Sequence, residues 1–109
     1  MKRSEIWTSA GGAPFTEKPR PVLIVQANVY DATTSITVCG ITSDPTETSF
    51  TRPPLAPSDL NGLRTRSRVM VDKITTVPRH RLRHKIGVVS SDDMFEVETA
   101  LALFLAIPS

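Results

Sequence analysis

One cysteine, Cys39, stands in 109 residues, so an intrachain disulfide and a cysteine-built zinc site are both excluded, and the count agrees with a reducing compartment. Long apolar runs are missing too. No stretch approaches the roughly 18 apolar residues a membrane helix needs, and the opening MKRSEIWTSAGG has no apolar signal core. The expectation is a cytoplasmic protein with no membrane contact. Aromatics make up only 6% of the chain, too few for a strong stacking platform, with Phe15 and Trp7 as its candidates. No GxGxxG and no P-loop occurs, which removes the usual nucleotide-binding signatures. HRLRH places His80 four residues before His84, but the glutamate of HExxH is absent and the surrounding Arg79, Arg81, Arg83 and Lys85 repel a cation. Both histidines are read as part of a basic face, and neither a metal nor another cofactor is expected.

What the chain does have is an uneven charge layout. Its net charge is +2, yet residues 1–63 hold five Lys/Arg against six Asp/Glu, residues 64–85 hold eight against Asp72 alone, and residues 86–109 hold none against four. A local basic stretch on a nearly neutral protein suits a polyanion or an acidic protein tail, with a merely solvated face as the alternative. At 39% apolar and 22% charged residues the chain is globular, and its length fits a single domain spanning 1–109.

The hydrophobic pattern predicts short strands followed by one helix. Residues 5–8 alternate and stop at Gly11-Gly12, whereas PVLIVQAN is so continuously apolar that it reads as a central strand covered on both faces. SITVCGIT, residues 35–42, sets Ile36, Val38 and Gly40 on one face and Thr37, Cys39 and Ile41 on the other. Four prolines between Asp44 and Pro57 allow only an edge strand near 50–55, and Asn61-Gly62 signals a hairpin turn. A long strand, bent near Asp72-Lys73, is expected to run to Pro78. PRHRLRHK reads as a basic helical turn and IGVV as a short strand. Ser90 or Ser91 then caps a helix whose stripe is Met94, Val97, Leu101, Phe104 and Leu105, with Pro108 ending it. Strands in succession with one closing helix indicate a small, mostly antiparallel barrel or sandwich.

One stretch invites a chemical reading. In EKPRPVLIVQAN, Pro19 and Pro21 fix their own φ and push Lys18 and Arg20 toward extended backbone, so Arg20 is a guanidinium on a stiff frame, able to meet an anion. A solvated charge at a strand entry is the plainer alternative. Cys39 reads as a small core hydrophobe and Asp92-Asp93 as a helix start.

KRSEIW, KPRPVLIVQ, VCGIT, SRVMVDKITTVP and a closing LALFLAI occur in that order, and together they resemble the MazF/PemK (Kid) family of toxin endoribonucleases along nearly the whole chain. RPVLIVQ is the most specific element. The chain departs from the family pattern at Ser4, where glycine is usual after Lys-Arg, and at Gly40, where proline is common. The resemblance implies a small SH3-like antiparallel β-barrel with a C-terminal helix, the fold of CcdB, Kid and MazF toxins. It also implies a cytoplasmic homodimer that cuts single-stranded mRNA without a metal and stops growth, held in check by a MazE/PemI-like antitoxin with a disordered acidic tail. Carried over by motif, the catalytic pair is Arg20 and Thr42, and RNA contacts fall on Phe15, Thr16, Lys18, Ser43, Asp72 and Lys73. Kid has a catalytic arginine where this chain has Met70, so Asp72 stands without that neighbour. Two alternatives rank below the nuclease: a CcdB-like gyrase poison, against which the ending Ala-Ile-Pro-Ser speaks, and a non-catalytic RNA-binding barrel.

Overall fold

β-branched residues crowd three stretches, RPVLI, SITVCGIT and SRVMVDKITTVP, and each is a strand, because such side chains pack well on a pleated surface. The computed structural model describes residues 1–10, 18–46 and 51–108. Its strands are β1 (Glu5–Ser9), β2 (Arg20–Ile24), β3 (Ser35–Thr42), β4 (Pro54–Leu55), β5 (Ser67–Pro78) and β6 (Leu82–Val88), followed by the helix α1 (Ser91–Phe104). They form one sheet in the order β4-β5-β3-β2-β1-β6, with every neighbouring pair antiparallel. The sheet curls into a half-barrel and α1 lies against one of its faces.

β2 is central and covered on both sides, as its continuous apolar run requires. Leu23 joins the helix-side core with Ile6, Cys39, Val69, Val71 and the helix residues Met94 and Val97. Val22 and Ile24 pack on the opposite face with Ile36, Val38 and Leu82. Burial, helped by the charge of Asp72, pushes the Cys39 thiol up to about 12, so it stays protonated and inert.

β5 bends where Asp72-Lys73 stands. Val38 pairs with Thr75 and Gly40 with Met70, so β5 uses five positions where β3 uses two, and the surplus forms a bulge. β4 is confined to two residues at the sheet edge, as its prolines dictate. Asn61-Gly62 does not make a tight hairpin, since it sits midway in the connection from Leu55 to Ser67. That connection instead folds across to the opposite edge of the sheet, where the Leu60 carbonyl accepts from the Val88 amide at 2.9 Å. The approach is close enough that a Cβ on Gly87 would lie 2.4 Å from the Asn61 carbonyl carbon.

PRHRLRHK is mostly strand. Only Arg79–Arg81 make a 3-10 turn, and β6 starts at Leu82. The reason is tertiary: β1 needs an outer partner, and β6 supplies it through pairs such as Trp7 with Lys85 and Ser9 with Leu82. His80 and His84 therefore do not share a helical face. At α1, the Ser90 hydroxyl accepts from the Asp93 amide at 3.1 Å, with Asp92 and Asp93 in the first turn suiting the helix dipole. Met94, Val97 and Ala100 are buried, but Phe104 and Leu105, members of the same stripe, are exposed.

The amino terminus is tied down by charge. The Glu5 carboxylate accepts from the Trp7 indole at 2.9 Å and from the Lys2 amide at 2.9 Å, and pairs with Lys85 at 3.2 Å. Burial raises its pKa, but these partners together outweigh that and leave it lowered. Ser4 has φ 76°, a left-handed conformation that glycine adopts without a Cβ penalty, which explains why the related pattern prefers glycine there.

Candidate active site groove

The site grows from strand register. Pro19 and Pro21 flank Arg20 at the start of β2, where Arg20 pairs with Ser9 and Pro21 with Thr8 of β1. β3 runs the other way, and its pairing of Gly40 with Val22, continued two residues, brings Thr42 alongside Arg20. Both side chains line one open cavity of about 670 Å³. Its walls are the entry of β2 with Lys18, the end of β3 with Ser43, the stretch from Gly62 to Thr65, and Thr8 and Ile86. Three cations, Lys18, Arg20 and Arg64, face it, and no acidic side chain is among its described lining residues.

Arg20 is exposed and has no ion pair among the described residues. The Thr42 hydroxyl oxygen accepts from the Asp44 amide at 3.1 Å. That bond takes one lone pair and fixes the oxygen, and the hydroxyl proton can turn to donate to a ligand. A guanidinium and a positioned hydroxyl on one wall can together hold the oxygens of a phosphate.

A second cavity of about 310 Å³ opens on the other side of Arg20. It shares Lys18 and Arg20, adds Lys73 and Arg81, and has an apolar floor of Val22, Val38, Ile41 and Val77. A third, of about 140 Å³, adjoins Thr42 and Ser43 and is lined by Asp44, Arg66 and Arg68. Arg20, Thr42, Lys18, Ser43 and Lys73 thus lie along one connected surface. Phe15 and Thr16 fall outside the described residues. Asp72 lines none of these cavities: both its oxygens are held by Arg52, at 3.1 Å each. Those hydrogen bonds keep its carboxyl below the usual carboxylate range. Met70 packs over Gly40, where a Cβ would come within 2.8 Å of its methyl group. Among the described residues no group of three or more His, Cys, Asp or Glu side chains gathers around a point, and no helix is long and apolar enough to cross a membrane.

Sequence reasoning missed Arg64, Arg66 and Arg81 as lining residues, and Arg52 as the partner of Asp72. The alternation RTRSR was the available signal for the first two. Nothing local marks Arg52, which reaches Asp72 across 20 residues.

A curled antiparallel sheet with one closing helix, and a cationic groove with no acidic side chain among its described lining residues, defines a small β protein suited to a polyanion. The chain belongs to the PemK-like, MazF-like toxins of type II toxin-antitoxin systems, whose family model matches residues 2–105. It is 43% identical over 107 residues to the probable endoribonuclease MazF of Mycolicibacterium smegmatis, covering 98% of each chain. Among solved structures it resembles an endoribonuclease in complex with its cognate antitoxin from a mycobacterial species, at 26% identity and TM-score 0.83, covering 100% of this chain and 98% of that one. The Mycobacterium tuberculosis toxin MazF-mt6 is similarly close, at 25% identity and TM-score 0.81, with 96% and 99% covered. The activity of the 109-residue chain itself is that of a MazF-type toxin endoribonuclease.

Proposed function

We propose that residues 1–109 act as a single toxin domain that cuts single-stranded mRNA with Arg20 and Thr42 and without a metal ion. The observation that supports this is the meeting of those two side chains in one groove that has no acidic side chain among its described lining residues. RNA carries its own nucleophile, so the protein has only to align the 2′ oxygen with the adjacent phosphorus and stabilise the charge that builds there. The bond from the 2′ oxygen to phosphorus forms while the bond to the 5′ oxygen breaks. The 2′ hydroxyl loses its proton and the 5′ oxygen gains one, leaving a 2′,3′-cyclic phosphate and a 5′-OH. The Arg20 guanidinium is a planar, delocalised fork of N–H donors with no acceptor atom. Its role is to hold two phosphate oxygens, stabilise the phosphorane and assist the leaving oxygen, while Thr42, stiff at χ1, donates to the same phosphate.

Lys18, Ser43 and Lys73 bind flanking parts of the strand, together with Phe15 and Thr16, which precede Lys18 in sequence. Asp72, engaged by Arg52, is placed to shape the β5 bulge beside Lys73 rather than to act as a base. The working form is a cytoplasmic homodimer, and a MazE/PemI-like antitoxin silences it by laying an acidic tail along the same cations. Growth stops because message is destroyed.

Arg20→Ala is expected to lower cleavage of total RNA by about 10²- to 10³-fold, with the unfolding free energy unchanged within about 0.5 kcal/mol, since the side chain is exposed. A 2′-deoxy nucleotide at the cut site blocks cleavage of that substrate. Full activity in purified Arg20→Ala, or cutting at a 2′-deoxy position, would overturn the mechanism, and trapped gyrase on DNA in place of 5′-OH RNA ends would mark a different poison.

A further inference from the structure

The β4–β5 connection carries two arginines toward the groove on a hydrogen-bonded frame. Asn61 is 3% exposed, and its side chain stitches the connection together. Its carbonyl oxygen accepts from the amides of Ser58 at 3.0 Å and Leu63 at 2.9 Å, and its amide nitrogen donates to the Ala56 carbonyl at 2.8 Å. Gly62, at φ 70°, turns the chain against β6, where a Cβ would lie 2.5 Å from the Ile86 carbonyl oxygen. Two residues later Arg64 lines the same cavity as Arg20. Arg66 lines the smaller pocket beyond Thr42. Thr42, Ser43 and Ser67 belong to both cavities, so a continuous trough runs from Arg64 and Arg20, past Thr42, to Arg66.

We infer that Arg64 and Arg66 form phosphate subsites on either side of Thr42, which hold the RNA phosphates flanking the one that reacts. This rests on Arg20 and Thr42 marking the reacting phosphate. Arg64 and Arg66 are exposed and have no ion pair among the described residues. Arg68 is the supporting member of the alternation, since its guanidinium donates to the Arg52 carbonyl at 3.0 Å. One carboxylate, Asp44, stands in the smaller pocket, and it is turned back on Thr46, accepting from that residue's amide at 3.0 Å and hydroxyl at 2.6 Å. Arginines strung along a single trough suit a ligand with one negative charge at every repeat, and the planar guanidinium matches the phosphate oxygens. The flanking phosphates do not change in the reaction, so the two subsites contribute uniform binding of the strand, equal in the ground and transition states.

The test measures binding apart from cleavage. In an Arg20→Ala background, a labelled short single-stranded RNA of mixed sequence is titrated across a range of KCl with Arg64→Ala, Arg66→Ala, Arg64→Lys and, as a control on the exposed face of β6, Arg83→Ala. Arg64→Ala and Arg66→Ala are each expected to weaken binding and to lower the slope of log K against log salt by about 0.7. Arg64→Lys retains the slope, and Arg83→Ala changes neither quantity. In the otherwise native chain, Arg64→Ala and Arg66→Ala raise KM while the saturating single-turnover rate stays within a few-fold. Unchanged affinity and slope would overturn the inference, as would a fall in the saturating rate at unchanged affinity. So would loss of binding to an acidic peptide such as polyglutamate with RNA binding intact, which would assign the arginines to a protein tail. Full cutting by Arg20→Ala would count against the proposed function alone, because the salt slopes are then read on a 2′-deoxy strand of the same sequence, which lacks the nucleophile.

Discussion

Arg20 and Arg64 face the same groove, but the two regions that present them are made rigid by different physics. At the entry of β2 the stiffness is covalent: proline rings on both sides of Arg20 restrict the backbone whatever surrounds it. In the connection that carries Arg64 the stiffness is tertiary, supplied by a buried asparagine, a left-handed glycine and a carbonyl accepting from the far edge of the sheet. Both deliver an exposed guanidinium with no ion pair among the described residues. One frame is written in consecutive letters and survives local perturbation, while the other exists only once β6 has docked on β1.

The contrast can be broken most strongly at Gly87. A Cβ there would meet the Asn61 carbonyl oxygen at 2.5 Å and the Leu60 oxygen at 2.5 Å, backbone atoms that cannot step aside. Gly87→Ala is therefore expected to lift the connection off β6 and cost about 1–3 kcal/mol, read by urea unfolding, while the β2 frame stays intact. Retained stability would mean that the connection is not pinned as described.

A smaller effect is expected at Arg52, which fastens Asp72 beside the β5 bulge. Arg52→Ala should cost about 1–2 kcal/mol at pH 7, the range for a charge-assisted hydrogen-bonded pair that is partly exposed. The pH dependence has a defined sign. The Asp72 carboxyl is lowered in the folded state, so the unfolded chain binds more protons as the pH falls below about 4. The pair's contribution is complete above that pH and is lost as the pH drops through the lowered native value. The stability gap between wild type and Arg52→Ala should accordingly narrow on acidification, and a constant gap across pH 3 to 7 would show that Arg52 acts through packing alone.

The smallest effect belongs to Pro19. Pro19→Ala removes a covalent restraint and no contact of the core, so the expected loss is only about 0.4–1 kcal/mol, mainly through the unfolded state. Cleavage should fall by more than stability does, because Arg20 gains freedom. Equal losses in Pro19→Ala and in a surface control would separate the prolines from catalysis.

Much of the molecule was legible because its signals are local. The apolar continuity of RPVLIVQ demanded a doubly covered strand, the alternation of SITVCGIT delivered Ser35–Thr42, and Ser90 with Asp92 and Asp93 marked the helix start. The basic run 64–85 was legible only as charge. The fold scatters it: Arg64 and Arg66 go to the groove, Lys73 and Arg81 to the apolar-floored cavity, and Lys85 to Glu5. PRHRLRHK was misread for a related reason, since no local feature reveals that β1 lacks an outer neighbour until the sheet is assembled.

The sequence alone determined the strands dominated by β-branched residues, the helix cap, the proline frame around Arg20 and, through an ordered set of motifs, the family to which the chain belongs. These follow from dihedral restriction and short-range periodicity, which act within a few residues. Tertiary structure decided that Thr42 would stand beside Arg20, that Asp72 would be held by Arg52, and that an asparagine-stitched connection would close the groove with Arg64. Each of these joins residues about 20 or more positions apart, so it depends on strand register and close packing, which only the assembled sheet supplies.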